Sequence, residues 1–322
     1  MKVRSYTEAD AAKWDEMAGR SACGTFLHSR RFLSYHGGRF EDLSVFCEDD
    51  QGRMAGIFPA ARKLDDPACV ASHPGATYGG LVHQRGLSAG DVKEMMDSIV
   101  RHFRSKGFQR LEYKSVPPHL QLPYSQADLY AIWKQGGVIF RRDLWNVAAL
   151  NELAGYSDHH KREIARARKR AIDVGAACSD MQYREFHAVL TACLAERHGA
   201  APVHDPDEML QLRDRFPENM ALWLARDGGG RLLAGSWVFQ FPDRAWHTQY
   251  IATSPEGRSQ GAGYLVMDEL IRAATHRRIP FLSFGASTED NGRALNAGLF
   301  EYKSGFGAGT VCHDIYLLRL TS

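Results

Sequence analysis

The chain lacks any cysteine arrangement that would hold a metal or a disulfide framework. Its six cysteines, at 23, 47, 69, 178, 193 and 312, form no C-x-x-C pair, and none stands at ligand spacing from a histidine pair. They read as reduced core thiols, and no metal is expected. Long apolar runs are also missing. Nothing approaches the roughly 18 consecutive apolar residues of a spanning helix, and no apolar segment follows the first basic residues, so a cytoplasmic location and no membrane partner are expected. A charge bias is absent too: 40 Lys and Arg face 38 acids, a net charge of +2, spread through both halves. That excludes a large nucleic-acid footprint. What remains is 322 residues, 44% of them hydrophobic, enough to bury two cores.

The hydrophobic patterning divides near position 150. In the first half, Lys2 to Tyr6 reads as a strand, Thr7 onward as a capped helix, and Ser29 to Tyr35 as a second helix. Strands at Ser44 to Cys47 and Met54 to Ala61 flank the turn residues Asp49 to Gly52, a hairpin signature. Val92, Met95, Met96, Ile99, Val100 and Phe103 share one helical face within 88–106. The second half opens on a basic helix, His159 to Arg170, with Ser157 or Asp158 as its N-cap. Helices at Arg184 to Arg197 and Pro206 to Arg215 follow, then strands at Met220 to Ala225, Leu232 to Gln240 and Ala245 to Ile251. A helix at Tyr264 to Thr275 and a strand at Pro280 to Phe284 complete the series. The basic helix suits either a solvated face or a guanidinium rim for an anionic substrate, because arginine presents a planar fork to phosphate oxygens.

Between the last two of these strands lies Arg258-Ser259-Gln260-Gly261-Ala262-Gly263, where a strand gives way to a helix. The first backbone N–H groups of a helix have no partner within it, and glycines admit an anion to that backbone without a Cβ in the way. The segment is therefore read as a phosphate cradle. No Lys-Ser or Lys-Thr follows, so it is not a Walker loop, and it lacks the three-glycine spacing of a dinucleotide fold.

This segment resembles the Arg/Gln-x-x-Gly-x-Gly/Ala signature of the GNAT acyltransferase superfamily. With His247 to Gly257 before it, Phe284 to Gly292 after it and Leu295 to Ala308 beyond, the chain is similar to the two-lobed FemAB/CelD-like branch and, within it, to bacterial sugar N-acyltransferases. The likeness covers residues 155 to 320 and thins before them. It implies an α/β (α+β) protein of two GNAT-like lobes, 1–150 and 151–322, each with a mixed, mostly antiparallel sheet flanked by helices, the second lobe binding acyl-CoA. The implied reaction is direct transfer of an acyl group from acyl-CoA, acetyl-CoA or a short hydroxyacyl-CoA, to an amine on a nucleotide-linked amino sugar. Two other readings stay open: a Fem-type transfer from aminoacyl-tRNA to a peptidoglycan precursor, and a non-enzymatic partner in polysaccharide assembly.

Roles for single residues follow from the resemblance. Arg258, Ser259, Gln260, Gly261, Ala262 and Gly263 would hold the pyrophosphate of CoA. The backbone of Tyr250, Ile251 and Ala252 would bind the pantetheine arm where the strand leaves its neighbour, and would polarise the thioester carbonyl. His204 with Glu196 would form the acid/base pair; a histidine near its ordinary pKa can take a proton from an ammonium nucleophile. His198, in the same region, suits helix capping. Tyr302 would protonate the leaving thiolate, and Asn296 would contact CoA. Strand alternation puts His247 and Gln249 on one face, toward the acceptor, and Thr248 and Tyr250 on the other. In the first half, His73 and Tyr78 sit in the glycine-rich stretch Ser72 to Gly80, a loop suited to closing over the acceptor. For each, the plain alternative is packing or capping.

Overall fold

The computed structural model describes residues 1–321, with the side chains of Arg197 and His198 outside the described residues. The chain forms two compact units: one comprises Met1–Asp143, Asp290–Ala294 and Cys312–Ser322, the other Leu144–Glu289 and Leu295–Val311. Two short segments read with the second half from sequence thus pack with the first unit.

In the first unit, strands Lys2–Ser5, Val45–Glu48, Met54–Phe58 and Val82–His83 form an antiparallel sheet in that order. The expected hairpin is there, Val45 opposite Phe58. Strand Arg110–Lys114 pairs in parallel with Cys69–Ala71 and antiparallel with Ile315 to Arg319. Helix Ala89–Ser105 starts at Ser88, whose hydroxyl accepts from the Asp91 N–H, and buries the face expected from its spacing: Val92, Met95, Met96, Ile99, Val100 and Phe103. Burying one such side chain stabilises by roughly 1.5–3 kcal/mol, enough to hold the helix on its sheet. The helix read over Ser29 to Tyr35 shortens to Arg30–Leu33.

In the second unit the strand order is Asp173–Ala176, Met220–Arg226, Leu232–Phe241, Ala245–Thr253, Phe281–Ala286 and then the 144–149 part of Val138–Ala149. All pairings are antiparallel except Ala245–Thr253 with Phe281–Ala286. Helix Ala262–His276 supplies the crossover between those two, as a parallel pair requires. One sheet face is covered by helices Asp158–Lys169 and Ala262–His276, with Ala167, Leu265, Leu270, Trp246, Leu282 and Phe284 in the core between. Helices Asp180–His198 and Pro206–Arg215 begin at Ser179 and Asp205, each with a reciprocal capping box.

Candidate active site

The decisive backbone feature is a divergence. Strand Ala245–Thr253 runs beside Phe281–Ala286 for three residue pairs only, Ala245 with Phe281, Trp246 with Leu282 and His247 with Ser283. From Thr248 to Thr253 the strand stays paired to Leu232–Phe241 alone. The side turned toward its parallel neighbour is left without a ladder, and unpaired backbone N–H and C=O groups call for a partner.

A bulge then sets what faces this opening. Trp237 pairs with Tyr250 and Val238 with Thr248, so Gln249 is an extra residue. Neighbours 237 and 238 point to opposite faces, and so do Tyr250 and Thr248. This corrects the alternation expected from sequence: His247 shares its face with Tyr250 rather than being fixed beside Gln249. On that face Trp237 lies 4.9 Å from Phe239 and is stacked with Tyr250 at 5.9 Å, while His247 stacks on Trp145 at 5.1 Å. The Trp237 indole N–H and Gln249 Oε1 are buried without a hydrogen-bond partner in the protein.

His204 joins this face through Tyr250. The tyrosine hydroxyl accepts from the N–H of Val203 at 3.1 Å and of His204 at 3.3 Å, and lies 2.9 Å from His204 Nδ1. The contact with the Tyr250 hydroxyl fixes where the His204 ring sits. Glu196 does not support it: both Glu196 carboxylate oxygens accept from Arg258 Nη2 at 3.0 Å. The sequence-derived pair is thus separated into two other pairs. His198 lies outside the described side chains.

The cradle also differs from its sequence reading. Arg258, Ser259 and Gln260 belong to a short helix, Pro255–Gln260, capped by Ser254. Ser259 and Gln260 spend their side chains on Glu256, and Arg258 also donates to the Thr253 carbonyl at 3.2 Å. Gly261 ends that helix with φ 76° and begins the next. Its missing Cβ would lie 2.7 Å from the Glu163 carbonyl oxygen, and that of Gly263 would lie 2.6 Å from Thr253 Oγ1. The two glycines therefore admit protein atoms, which bring helix Asp158–Lys169 and the strand against the helix start. The N–H groups of Ala262, Gly263 and Tyr264 remain the first turn of a 15-residue helix, a positive helix end suited to an anion. Arg170 reaches the Ser259 carbonyl at 3.4 Å, and Glu163 is paired with Arg166. These residues fit a pyrophosphate.

Several other residues are engaged structurally. The Tyr302 hydroxyl donates to the Gly263 carbonyl at 3.2 Å, and its ring packs with His160, Tyr264 and Phe306; it braces the cradle. Asn296 caps helix Ala297–Ser304, accepting from the Leu299 N–H at 2.9 Å and donating to Glu289 at 2.7 Å. Tyr250 O accepts from Ser236 Oγ at 3.0 Å, which leaves Ile251 and Ala252 as the freer backbone of that trio. In the first unit, the loop read as a mobile cover is pinned. Lys114 Nζ donates to the carbonyls of His73, Pro74 and Ala76, and Tyr78, 2% exposed, shares a 2.9 Å hydrogen bond with Thr25. His73 is buried at φ 50°, its Nδ1 without a partner, and the low-dielectric surroundings push its pKa down.

Sequence reasoning missed Lys303. It lies on helix Ala297–Ser304, is 4% exposed, and donates to the carbonyls of Gly285, at 3.2 Å, and Ala286, on the end of Phe281–Ala286 beyond its last pair with the cleft strand. Across Gly285, the Cβ that residue lacks would be 3.2 Å from His247 Cε1. With no carboxylate beside it, burial alone pushes the Lys303 pKa down to about 7. Nothing in the sequence reading marks it, because no helix is read over 297–304.

Residues 158–304 match the model of the acetyltransferase (GNAT) domain. The matched stretch lies almost wholly in the second unit. No curated protein matches the chain. Among solved structures, FemX is similar over 99% of this chain and 97% of its own, with a TM-score of 0.69 and 12% identity. L-PGS from Bacillus licheniformis is similar over 96% and 91%, at 0.63 and 11%. A tandem GNAT protein from the clavulanic acid biosynthesis pathway matches over 100% and 99%, at 0.52 and 12%. The fold is the two-lobed GNAT and Fem-like one, and the protein is an N-acyltransferase enzyme. Among the described residues no group of histidine, cysteine and acid side chains is placed to hold a metal, and no helix is long and apolar enough to cross a membrane.

The packing of the second unit makes one position especially sensitive. A Cβ at Gly305 would lie 2.0 Å from Cε1 of His160, whose ring is held between Ser157 Oγ and the Tyr302 carbonyl. Gly305→Ala is expected to lower stability by about 1–3 kcal/mol, read as a lower urea midpoint with unchanged slope.

Proposed function

We propose that the chain transfers an acyl group from acyl-CoA to the amine of a small acceptor, a nucleotide-linked amino sugar, by direct attack without a covalent enzyme intermediate. The observation that carries this reading is the strand that leaves its parallel neighbour after His247 and whose end at Thr253 lies within ten residues of a helix N-terminus at Ala262. A cleft with free backbone groups at one end and a positive helix end at the other suits an extended ligand with a thioester and a pyrophosphate. Ala262, Gly263 and Tyr264 N–H, aided by Arg170, would hold the phosphates, and the Ile251 and Ala252 backbone the arm. Holding donor and acceptor together replaces a bimolecular encounter by an oriented one. Lys303, with a pKa near neutrality, is suited to moving the proton that the attacking amine must lose or the leaving thiolate must gain.

The likeness to FemX over nearly the whole chain gives weight to a second reading, in which the same cleft takes the aminoacyl ester of aminoacyl-tRNA and the acceptor is a peptidoglycan precursor. Thermal unfolding with CoA, acetyl-CoA and a longer hydroxyacyl-CoA separates the two. A ligand at a hundred times its Kd adds about 2.7 kcal/mol, so a clear rise in Tm is expected with a CoA thioester, followed by acyl transfer to amino-sugar nucleotides detected by mass. No stabilisation by any CoA would overturn the first reading in favour of the second.

A further inference from the structure

Three acids stand at the start of helix Ala262–His276, and each is held by an arginine. Glu163 pairs with Arg166 of its own helix, Glu256 with Arg231, and Glu196 with Arg258. The last pair joins two distant parts of the second unit. Arg258 belongs to Pro255–Gln260, the short helix that leads into the cradle, whereas Glu196 reaches it from the last turn of Asp180–His198. Glu196 is also the most exposed of the three carboxylates, at 55% against 39% for Glu256 and 15% for Glu163. It is therefore the one that water can take over at least cost.

The geometry of this pair is loose on one side and firm on the other. Both Glu196 oxygens share a single nitrogen, Nη2, at 3.0 Å, rather than meeting the two-nitrogen fork that makes an arginine–carboxylate pair strong. An exposed pair of that kind contributes little to stability. The other arm of the guanidinium does not depend on it. Arg258 Nη1 donates to the Thr253 carbonyl at 3.2 Å, and Thr253 Oγ1 is the atom that lies against Gly263, 2.6 Å from where a Cβ would be. Thr253 thus keeps the guanidinium beside the first turn of Ala262–His276 whether or not Glu196 is attached.

We propose that Glu196 holds the place of a phosphate group on Arg258 until the donor binds, when Arg258 passes from the carboxylate to the pyrophosphate. This inference rests on the reading of the helix start as the pyrophosphate site of CoA. Carboxylate and phosphate offer a guanidinium the same kind of anionic oxygens, so one can replace the other without moving the arginine far. Glu196 is then a positioning residue that acts through Arg258, not half of an acid/base pair. It sets the fraction of molecules whose Arg258 is ready for the donor, and the apparent Kd is the intrinsic one divided by that fraction. Because the new contact replaces an old one, Arg258 adds little to donor affinity while Glu196 is present.

Titration calorimetry with CoA on the wild type, Glu196→Gln, Arg258→Ala and the double variant tests this. Glu196→Gln keeps the side chain's size at an exposed position, so Tm should hardly move. It is expected to bind CoA about fivefold more tightly than the wild type. In the Arg258→Ala background the same substitution should change the affinity by less than about twofold, since the group it releases is gone. An equal gain in both backgrounds would show Glu196 acting by plain repulsion of the phosphates, and no gain in either would show that it does not hold Arg258 back; each result overturns the proposal and leaves the CoA site standing. Absence of CoA binding in all four proteins would instead remove the reading beneath it.

Discussion

Lys303→Met is expected to lower kcat by about two orders of magnitude, the usual scale for loss of a proton-transfer group, with a much smaller change in KM. The variant removes the one buried cation at the open end of the strand divergence and keeps the volume nearly constant. Its second signature is the pH dependence of stability. An exposed lysine in the unfolded chain keeps its proton to about pH 10.5, whereas burial pushes the native group down to about 7. Between those values the unfolded state binds more protons, so wild-type stability rises with pH from about 7 toward 10 and is lowest below 7, where the ammonium is buried. Urea midpoints at pH 6 and pH 9 should differ in the wild type by more than in Lys303→Met. Equal slopes in the two proteins would refute the burial assignment, and full activity in the variant would refute the catalytic one.

Gly261→Val is expected to abolish stabilisation by CoA and to cost a few kcal/mol in its own right. Two effects add. The φ of 76° is unfavourable for a β-branched residue, and the new Cβ would begin 2.7 Å from the Glu163 carbonyl oxygen. Relief requires helix Asp158–Lys169 or the start of Ala262–His276 to move, and either shift turns the first-turn N–H groups away from a common point. Comparison with Arg258→Ala separates loss of a phosphate contact from loss of shape. Arg258 is bonded to Glu196 and Thr253, so its truncation should lower Tm modestly and leave much of the CoA-induced shift. A CoA-induced shift of wild-type size in Gly261→Val would exclude this helix start as the phosphate site.

Elements with strong periodicity were readable directly. Val92 to Phe103 declared their helix face, and the boundaries of Pro206–Arg215 follow from Asp205 and the proline beside it. Elements whose shape depends on neighbours were not. The helix Ala297–Ser304 has no amphipathic pattern, because one side packs on aromatic rings and the other holds Lys303 against two carbonyls. The cradle was visible as glycines after a strand, but their reason was not: what each glycine makes room for lies 98 residues away at Glu163 or 10 away at Thr253. The separation of Glu196 from His204 could not be read either, since Arg258 and Tyr250 compete for them only once the chain is folded.

The extra residue at Gln249 makes strand length, rather than composition, the determinant of which side chains line the opening. Deleting Gln249 would remove the bulge and leave Thr248 opposite Val238 and Tyr250 opposite Trp237 in regular alternation, so the Trp237–Tyr250 stack would survive while the buried Gln249 amide would be lost from the opening. The bulge is thus what lets His247 and Tyr250, three apart in the sequence, stand on one face of the strand.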